Sequence, residues 1–193
     1  MPNKIVCIVG MTGSGKSEVS DEIVKQGFSY LRFGQITLDK IKELGLEMNE
    51  TNEKKIREDL RKKQGMGVFA MLNIPKVDEL LKKSDVVIDG LYSWSEYKIL
   101  KERHKDSMFI IAVYAPPKLR YSRLESRVAA KGDKNKRFRP STENDARARD
   151  YAEIENIEKG GPIVMADFTI LNIGTLDELK KKTREILSII KNY

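Results

Sequence analysis

Residues 10–17 constrain the fold of this chain more than any other stretch, since they have the pattern G-x-x-x-x-G-K-S. They follow Ile5–Val9, an apolar and mostly β-branched run that is typical of a buried strand. They precede residues 18–25, where apolar side chains recur on one helical face until Gly27 ends the pattern. A strand, a glycine-rich turn and a helix in this order predict a phosphate-binding loop.

Each residue type in this loop has a role in holding phosphate. Glycines let the backbone curl, so that successive N–H groups surround the phosphate oxygens. We predict that Lys16 reaches the β- and γ-phosphates and that the Ser17 hydroxyl holds Mg²⁺, while the helix N-terminus adds a favourable dipole. The pattern therefore predicts a nucleoside triphosphate site, for ATP with Mg²⁺ as cofactor. The predicted binding residues are Gly10, Met11, Thr12, Gly13, Ser14, Gly15, Lys16 and Ser17.

The composition agrees with one globular domain. The 193 residues are enough to bury a core, and 40% of them are hydrophobic. A formal net charge of +7 favours anionic partners, so nucleotides are expected and nucleic acid is an alternative. Cys7 is the single cysteine, which excludes a disulfide framework. We find neither a signal pattern nor an apolar run of about 20 residues, so we expect a cytoplasmic protein without a membrane partner.

Strand-like runs alternate with helical patterns along the chain. Further strands are predicted at 28–33, 86–90, 108–114 and 168–172. Helices are predicted at 36–44, 51–64 with Thr51 as N-cap, 68–75 ending near Pro75, 77–83, 95–105, 118–128, 143–159 and 176–192. This alternation predicts an α/β fold of the P-loop NTPase type, in which helices cover both faces of a five-stranded parallel sheet in three layers.

The carboxyl ends of the predicted strands define a candidate crevice, because ligands of such sheets bind there. Asp89 ends an apolar strand, where a P-loop protein places the acid that holds Mg²⁺, directly or through water. We therefore predict Ser17 and Asp89 as the metal ligands. An ordinary surface carboxylate at the end of a strand is the alternative for Asp89.

Basic residues follow the fourth predicted strand. Arg120, Arg123 and Arg127 lie on one helix, and the last two share a face. Cations that are in place before the reaction stabilise the negative charge of phosphoryl transfer, so these arginines are predicted to neutralise the triphosphate. The alternative, above all for Arg120, is that they form a solvated, charged helix face. Residues of about 129–147 are rich in Lys and Arg, which predicts a basic lid that keeps water from bound ATP. Arg149 is predicted to reach the transferring phosphate. The alternative for the basic segment as a whole is a loop that binds RNA or DNA.

Over nearly the full chain these motifs resemble those of nucleoside monophosphate kinases, and most closely those of an archaeal family of adenylate-kinase-related proteins. The segments that carry the resemblance are GMTGSGKSEV, the FG after the second strand, VVIDG, YAPPKLRYSRLESR and ADFTILNIGTLDEL. The last segment is also similar to dephospho-coenzyme A kinases, in which this turn lies against the adenine of ATP. The resemblance thus implies that Asn172 and Gly174 contact ATP, that Arg123 and Arg127 are paired lid arginines, and that Arg149 returns from the lid.

The resemblance also implies an acceptor-binding insertion of about 34–76, in which Gly34 belongs to a turn that closes on a monophosphate. This chain departs from adenylate kinases there, with Gln35 in place of an Asp and Leu38 in place of a phosphate-binding Arg. After Asp-Gly it continues Leu91-Tyr92 where they have Phe-Pro-Arg. The acceptor site therefore differs from a standard AMP site. Its candidate residues are Arg32, Gly34, Arg57, Arg61, Gly90 and Tyr92.

The sequence thus predicts one P-loop domain over residues 1–193 that moves the γ-phosphate of ATP to AMP or a related small phosphorylated nucleoside. Its predicted catalytic residues are Lys16, Arg123, Arg127 and Arg149. A dephospho-coenzyme A kinase or another nucleotide-precursor kinase is an alternative. A nucleotide-gated ATPase that binds RNA or a protein partner through its basic segment is another.

Overall fold

A computed structural model of the chain describes residues 2–127 and 141–193. The predicted lid of about 129–147 lies mostly outside these residues and stays a prediction. Only its end, residues 141–147, is described, and it leads into a helix at the position that the sequence predicts.

A single parallel sheet organises the described part of the chain. Its five strands are β1 (Ile5–Val9), β2 (Ser29–Arg32), β3 (Val86–Asp89), β4 (Met108–Tyr114) and β5 (Phe168–Leu171). They lie in the order β2-β3-β1-β4-β5, with Cys7 of β1 opposite Ile88 of β3 and Ile110 of β4. Every neighbouring pair is parallel, so all the carboxyl ends lie at one edge, and β1 lies where the strand order reverses. The predicted fold class is confirmed.

Helices cover both faces of the sheet. They are α1 (Lys16–Lys25), α2 (Gln35–Glu43), α3 (Glu50–Gln64), α4 (Val68–Leu81), α5 (Trp94–His104), α6 (Pro117–Glu125), α7 (Glu143–Ile157), α8 (Gly160–Val164) and α9 (Leu176–Lys191). Side chains alternate along β1, so Cys7 joins the core beneath α4 and α5, whereas Ile8 joins the core beneath α1 and α9. Burial on both faces explains why the three central strands β3, β1 and β4 are almost wholly apolar, whereas the edge strands β2 and β5 carry polar or exposed residues.

Two helix predictions are wrong in detail. Helix α4 continues through Pro75 and does not end there. An internal proline costs about 3 kcal/mol, but Phe69 and Val77 on either side of it are both buried in the core, and that packing outweighs the cost. Helix α3 begins one residue before Thr51, and its N-cap is Asn49, whose side chain accepts from the Asn52 backbone N–H over 2.9 Å.

The end of α7 also differs from the prediction. The helix stops at Ile157, two residues before the predicted end at 159, and Gly160 begins the short helix α8. Glu158 between them has φ 54°, in the left-handed region, and this turn directs Lys159 into the protein. No helix within residues 2–127 and 141–193 is long and apolar enough to cross a membrane.

Candidate active site

Residues 10–17, here called the phosphate loop, leave β1 in a conformation that requires glycine. Gly10 and Gly15 have φ of 140° and 103°. A Cβ at Gly10 would lie 2.3 Å from the carbonyl oxygen of Val113 in β4. A Cβ at Gly15 would lie 2.4 Å from Nδ2 of Asn172, just after β5. The loop therefore packs directly against both strand ends.

Side chains from outside the phosphate loop hold its carbonyl groups. Arg120 of α6 donates to the Thr12 carbonyl oxygen over 2.9 Å, and Asn172 donates to that of Ser14 over 2.8 Å. The Ser14 hydroxyl is buried and has no hydrogen-bond partner in the described part of the chain. An unsatisfied donor in a tight glycine cradle fits an anionic ligand, which would complete its hydrogen bonding.

Lys16 begins α1 and brings a positive charge to the phosphate loop. Its ammonium group donates to the Met11 carbonyl oxygen over 3.1 Å. Burial and the charge of Lys159 lower the pKa of Lys16 to about 7, against the opposing effect of Asp89. Phosphate oxygens at this ammonium group would raise the pKa again, because an opposite charge favours the protonated form.

The predicted metal ligands, Asp89 and Ser17, lie at the end of β3 and at the start of α1. Asp89 ends β3, and the Tyr30 hydroxyl donates to its Oδ2 over 2.9 Å, which orients the carboxylate. Ser17 is in the first turn of α1. Across residues 2–127 and 141–193, no three His, Cys, Asp or Glu side chains form a group that could hold a metal. The donors present fit Mg²⁺, which takes one or two protein oxygens and keeps substrate phosphates and waters as its other ligands.

Arg120 is a buried structural cation, so the alternative of a solvated residue is wrong for it. Its side chain is 5% exposed. Besides the Thr12 carbonyl, it donates to the Ala115 carbonyl oxygen over 3.0 Å and to Oδ2 of Asp150 over 2.6 Å. The Tyr121 hydroxyl donates to the same carboxylate oxygen over 2.9 Å. Arg120 therefore fastens α7 to the phosphate loop.

The other two arginines of this segment have different surroundings. Arg123 donates to the Asn172 carbonyl oxygen over 3.1 Å, so the structure brings it to the end of β5. Burial lowers the pKa of Arg123, and burial together with the charge of Arg149 lowers the pKa of Arg127. A bound anion would raise both of these pKa values again, because an opposite charge favours the protonated form.

Four side chains form what we call the α7 ion cluster: Arg149, Glu153, Lys159 and Tyr92. Nε of Arg149 donates to one oxygen of Glu153 over 2.9 Å, and the Lys159 ammonium group donates to the other. Lys159 is 2% exposed, and its Nζ lies 4.9 Å from the centroid of the Tyr92 ring. Although burial raises it, the two cations hold the pKa of Glu153 at about 2. Asp150, the residue after Arg149, is bound by the same Arg120 that donates to Thr12, so the cluster lies beside the phosphate loop.

Both predicted acceptor arginines of α3 are paired with carboxylates. Arg57 lies 2.7 Å from Glu50 and 3.5 Å from Glu53. Arg61 lies 3.8 Å from the fully buried Glu96, and burial lowers the pKa of Arg61 against the effect of that carboxylate. The structure thus balances both charges within the protein.

The remaining predicted acceptor residues lie at the ends of β2 and β3. Arg32 is in register with Asp89, next to Gly90, whose φ is 97°. A Cβ at Gly90 would lie 2.9 Å from the Tyr92 ring, so glycine is required for the tyrosine to pack there. Gly34 has φ −72° and nothing within 4 Å of a Cβ, so its backbone does not require glycine. The structure brings Arg32, Gly90 and Tyr92 together, and Gly34 precedes α2.

Asn172 and Gly174 lie beside the phosphate loop at the end of β5. The Asn172 side chain is committed to the Ser14 carbonyl, and a Cβ at Gly174 would meet the Glu178 carboxylate, which caps α9. Contact of these two residues with adenine stays a prediction.

Reasoning from sequence missed Glu153 and Lys159. The spacing of Arg149 and Glu153 by four residues on a predicted helix was an available signal. Lys159 gave none, because it reaches the site through the turn at Glu158, whose positive φ no local pattern indicates.

Comparisons with known proteins agree with this geometry. Residues 6–151 match a family described as an AAA domain. A UPF0200 protein from Thermococcus gammatolerans is 35% identical over 188 residues, covering 96% of this chain and 95% of that protein. A gluconokinase from Sinorhizobium meliloti superposes with a TM-score of 0.57 at 14% identity, covering 99% of this chain and 95% of its own. A shikimate kinase from Acinetobacter baumannii in complex with shikimate gives 0.57 at 17% identity, covering 98% and 94%. The chain belongs to the UPF0200 family and has the fold of the P-loop kinases.

Proposed function

We propose that this protein is an ATP-dependent phosphotransferase whose acceptor is a small phosphorylated nucleoside, AMP or a relative. The observation that carries the proposal is that two regions with groups suited to bind anions lie next to each other, the phosphate loop and the α7 ion cluster. Arg120 joins them, because it donates both to the Thr12 carbonyl oxygen of the loop and to Asp150, the residue after Arg149. Two anion-binding regions in one crevice are what transfer between two phosphorylated molecules needs.

In the proposed reaction, an oxygen of the acceptor phosphate attacks the γ-phosphorus of ATP in line. The bond from that phosphorus to the β–γ bridging oxygen breaks, and ADP leaves, without a covalent enzyme intermediate. Lys16 binds the β- and γ-phosphates, and Arg123, Arg127 and Arg149 stabilise the charge on the transferring group. Ser17 and Asp89 would hold Mg²⁺, which would supply a further positive charge at the phosphate oxygens.

Rigid placement of the phosphate loop supports the donor half of the proposal. Its carbonyl groups are held by Arg120 and Asn172, so the backbone is ordered before ATP binds. Groups that are already in place lose no free energy to reorganisation during the reaction.

The acceptor half rests on charge and on position. Arg32, Tyr92 and Arg149 lie beside Asp89 or within the α7 ion cluster, on the carboxyl side of β2 and β3. Guanidinium groups bind phosphate bidentately, which favours a phosphorylated acceptor over a neutral one. Arg57 and Arg61 would have to exchange their carboxylate partners to contribute.

A screen of acceptors tests the proposal. The purified protein is incubated with ATP, MgCl₂ and one acceptor, chosen from the nucleoside monophosphates, dephospho-coenzyme A, shikimate and gluconate. We expect ADP and a phosphorylated product in equal amounts with AMP or a related nucleoside monophosphate. Product from shikimate or gluconate would move the acceptor to the class of the structural neighbours. ADP formed at one slow rate with and without every acceptor would contradict phosphotransfer and favour a nucleotide-gated ATPase.

A further inference from the structure

The two cations of the α7 ion cluster differ sharply in exposure although they share one carboxylate. The Arg149 side chain is 50% exposed, whereas that of Lys159 is 2% exposed. Glu153 between them is 11% exposed. One partner of the carboxylate is therefore fixed in the protein interior, and the other lies at the surface of the crevice.

This arrangement lowers the cost of opening the Arg149–Glu153 pair. A buried carboxylate that loses its only counter-ion is strongly destabilising, which would keep a lone arginine bound to Glu153. Because Lys159 holds the second oxygen of Glu153, the carboxylate stays paired when Arg149 leaves. Arg149 is exposed enough to move to another anion without crossing the protein interior.

The backbone beneath Arg149 does not have to move. Asp150, the next residue, is buried, and both Arg120 and the Tyr121 hydroxyl donate to its carboxylate. This anchor fixes α7 against α6 beside the phosphate loop. A change of partner at Arg149 is therefore a side-chain rotation on a fixed helix.

We propose that Lys159 is a positioning residue that makes Arg149 available to the γ-phosphate of ATP by holding Glu153 in its place. The proposal rests on the proposed function only in the contact of Arg149 with that phosphate. In this proposal Glu153 binds Arg149 in the free protein, and Lys159 allows Arg149 to leave because it keeps Glu153 paired.

The preference of the protein for ATP over ADP tests this directly, since only ATP carries a γ-phosphate. Affinities of both nucleotides, with MgCl₂, are measured by isothermal titration calorimetry for the wild type, Arg149→Ala, Lys159→Met and the double variant Lys159→Met/Glu153→Gln. We expect Arg149→Ala and Lys159→Met each to weaken ATP binding about fivefold, with ADP binding unchanged. The double variant should regain the preference to within about twofold, because Arg149 then has no carboxylate to hold it.

Matched variants separate this role from a loss of folding. Lys181→Met removes an exposed lysine 3.9 Å from Glu185, and Arg103→Ala removes an arginine of 49% exposure paired with Asp78. Both should keep the wild-type preference. Lys159→Gln is made alongside Lys159→Met, because its neutral amide can still donate to Glu153 but leaves Arg149 as the only counter-ion of that carboxylate. It should lose the preference too, and thermal unfolding reports whether each variant is folded.

Three outcomes would overturn the proposal. Folded Lys159→Met and Lys159→Gln could keep the wild-type preference, the double variant could be no better than Lys159→Met, or Arg149→Ala could leave the preference unchanged. None of these measurements needs an acceptor. If no acceptor is phosphorylated but the nucleotide preferences are as expected, the proposed reaction is refuted. The role of Lys159 in ATP binding is then still supported.

Discussion

The phosphate loop and the α7 ion cluster are neighbours at Lys16, but different kinds of contact hold them together. The loop is a main-chain structure, in which glycines allow close approach to β4 and β5 and outside side chains hold the carbonyl groups. The cluster is a side-chain structure, in which Glu153 is shared by two cations from either side of a helix end. The contacts of the loop are fixed by close packing, whereas we propose that the cluster can exchange its partners. The two regions thus differ in how firmly their groups are held.

The largest expected effect is a loss of stability when the side chain that holds the phosphate loop from outside is removed. Arg120→Met leaves the Thr12 and Ala115 carbonyl groups without their donor and Asp150 without its cation. Because Arg120 and Asp150 are each 5% exposed, we expect a loss of about 4 kcal/mol in the free energy of unfolding, measured with urea.

A second variant sharpens that result. Arg120→Met/Asp150→Asn removes both charges, so no buried carboxylate is left unpaired and part of the stability should return. Equal instability of the single and double variants would show that the carbonyl contacts, rather than the ion pair, fasten the loop.

Removal of the charge at the junction of the two regions is the next largest change. Lys16→Met should weaken ATP binding at least about a hundredfold, measured by calorimetry with MgCl₂. In the free protein Lys16→Met should raise the melting temperature at pH 6, because it removes a charged amine whose burial opposes folding. The fold lowers the Lys16 pKa from 10.5 to about 7, so the charged amine opposes folding below pH 7, and this opposition fades as pH rises from 7 to 10.5. An unchanged melting temperature would contradict the lowered pKa.

Close packing of the phosphate loop can be tested with one methyl group. At Gly10, alanine would meet the Val113 carbonyl oxygen at 2.3 Å and adopt φ 140°, which should cost about 2 kcal/mol of stability. Gly160→Ala is the matched control, because a Cβ there has nothing within 4 Å. Similar unfolding midpoints for the two variants would mean that the loop is as adaptable as the α7 ion cluster is proposed to be.

Proton uptake should accompany ATP binding, since phosphate oxygens raise a Lys16 pKa that is about 7 in the free protein. The charged lysine binds the nucleotide, so affinity should fall as pH rises through the free-protein pKa. We expect a loss of about tenfold between pH 7.5 and 9, where ATP itself is fully ionised. Lys16→Arg should bind with little pH dependence in this range. A wild-type affinity that rises with pH would reverse the sign and exclude this coupling.

The smallest effect concerns the orientation of Asp89. Tyr30→Phe removes the 2.9 Å hydrogen bond to its Oδ2 and leaves the ring packing intact. If Asp89 holds Mg²⁺, the concentration of MgCl₂ needed for half-maximal ATP binding should rise about threefold. Tyr193→Phe, at an exposed ring far along the chain, should have no effect. The same magnesium requirement in Tyr30→Phe would mean that the carboxylate needs no orientation.

Continuous apolar runs were enough to find the central strands of the sheet, because burial on both faces leaves each of them hydrophobic along its length. Val86–Asp89 and Met108–Tyr114 illustrate this. Periodicity failed where long-range packing overrides a local signal, as at Pro75, which lies inside a helix held by the core. It also missed the N-cap at Asn49, since several polar residues there satisfy the same local rule.

The candidate site divides in the same way. Each residue of the phosphate loop could be predicted, because main-chain geometry needs glycine at fixed spacing. Ser17 followed from the loop motif, Asp89 from its position at a strand end, and the lid arginines from their place on helices and from the family resemblance. All of these roles stay predictions. Lys159 and Glu153 had no comparable signature, and the burial of Arg120 could not be distinguished from solvation on a charged helix.

By itself the sequence determined the P-loop fold, the crevice at the carboxyl edge of the sheet and the residues of the phosphate loop. These depend on the hydrophobic periodicity, on the positions of glycines and on the order of strands along the chain, which can be read from short stretches of sequence. Only the tertiary structure decided which charges are paired, which are buried and which of them meet at Lys16. That information depends on distances between segments far apart in the chain, because the strength of an ion pair is set by its separation and its exposure to water.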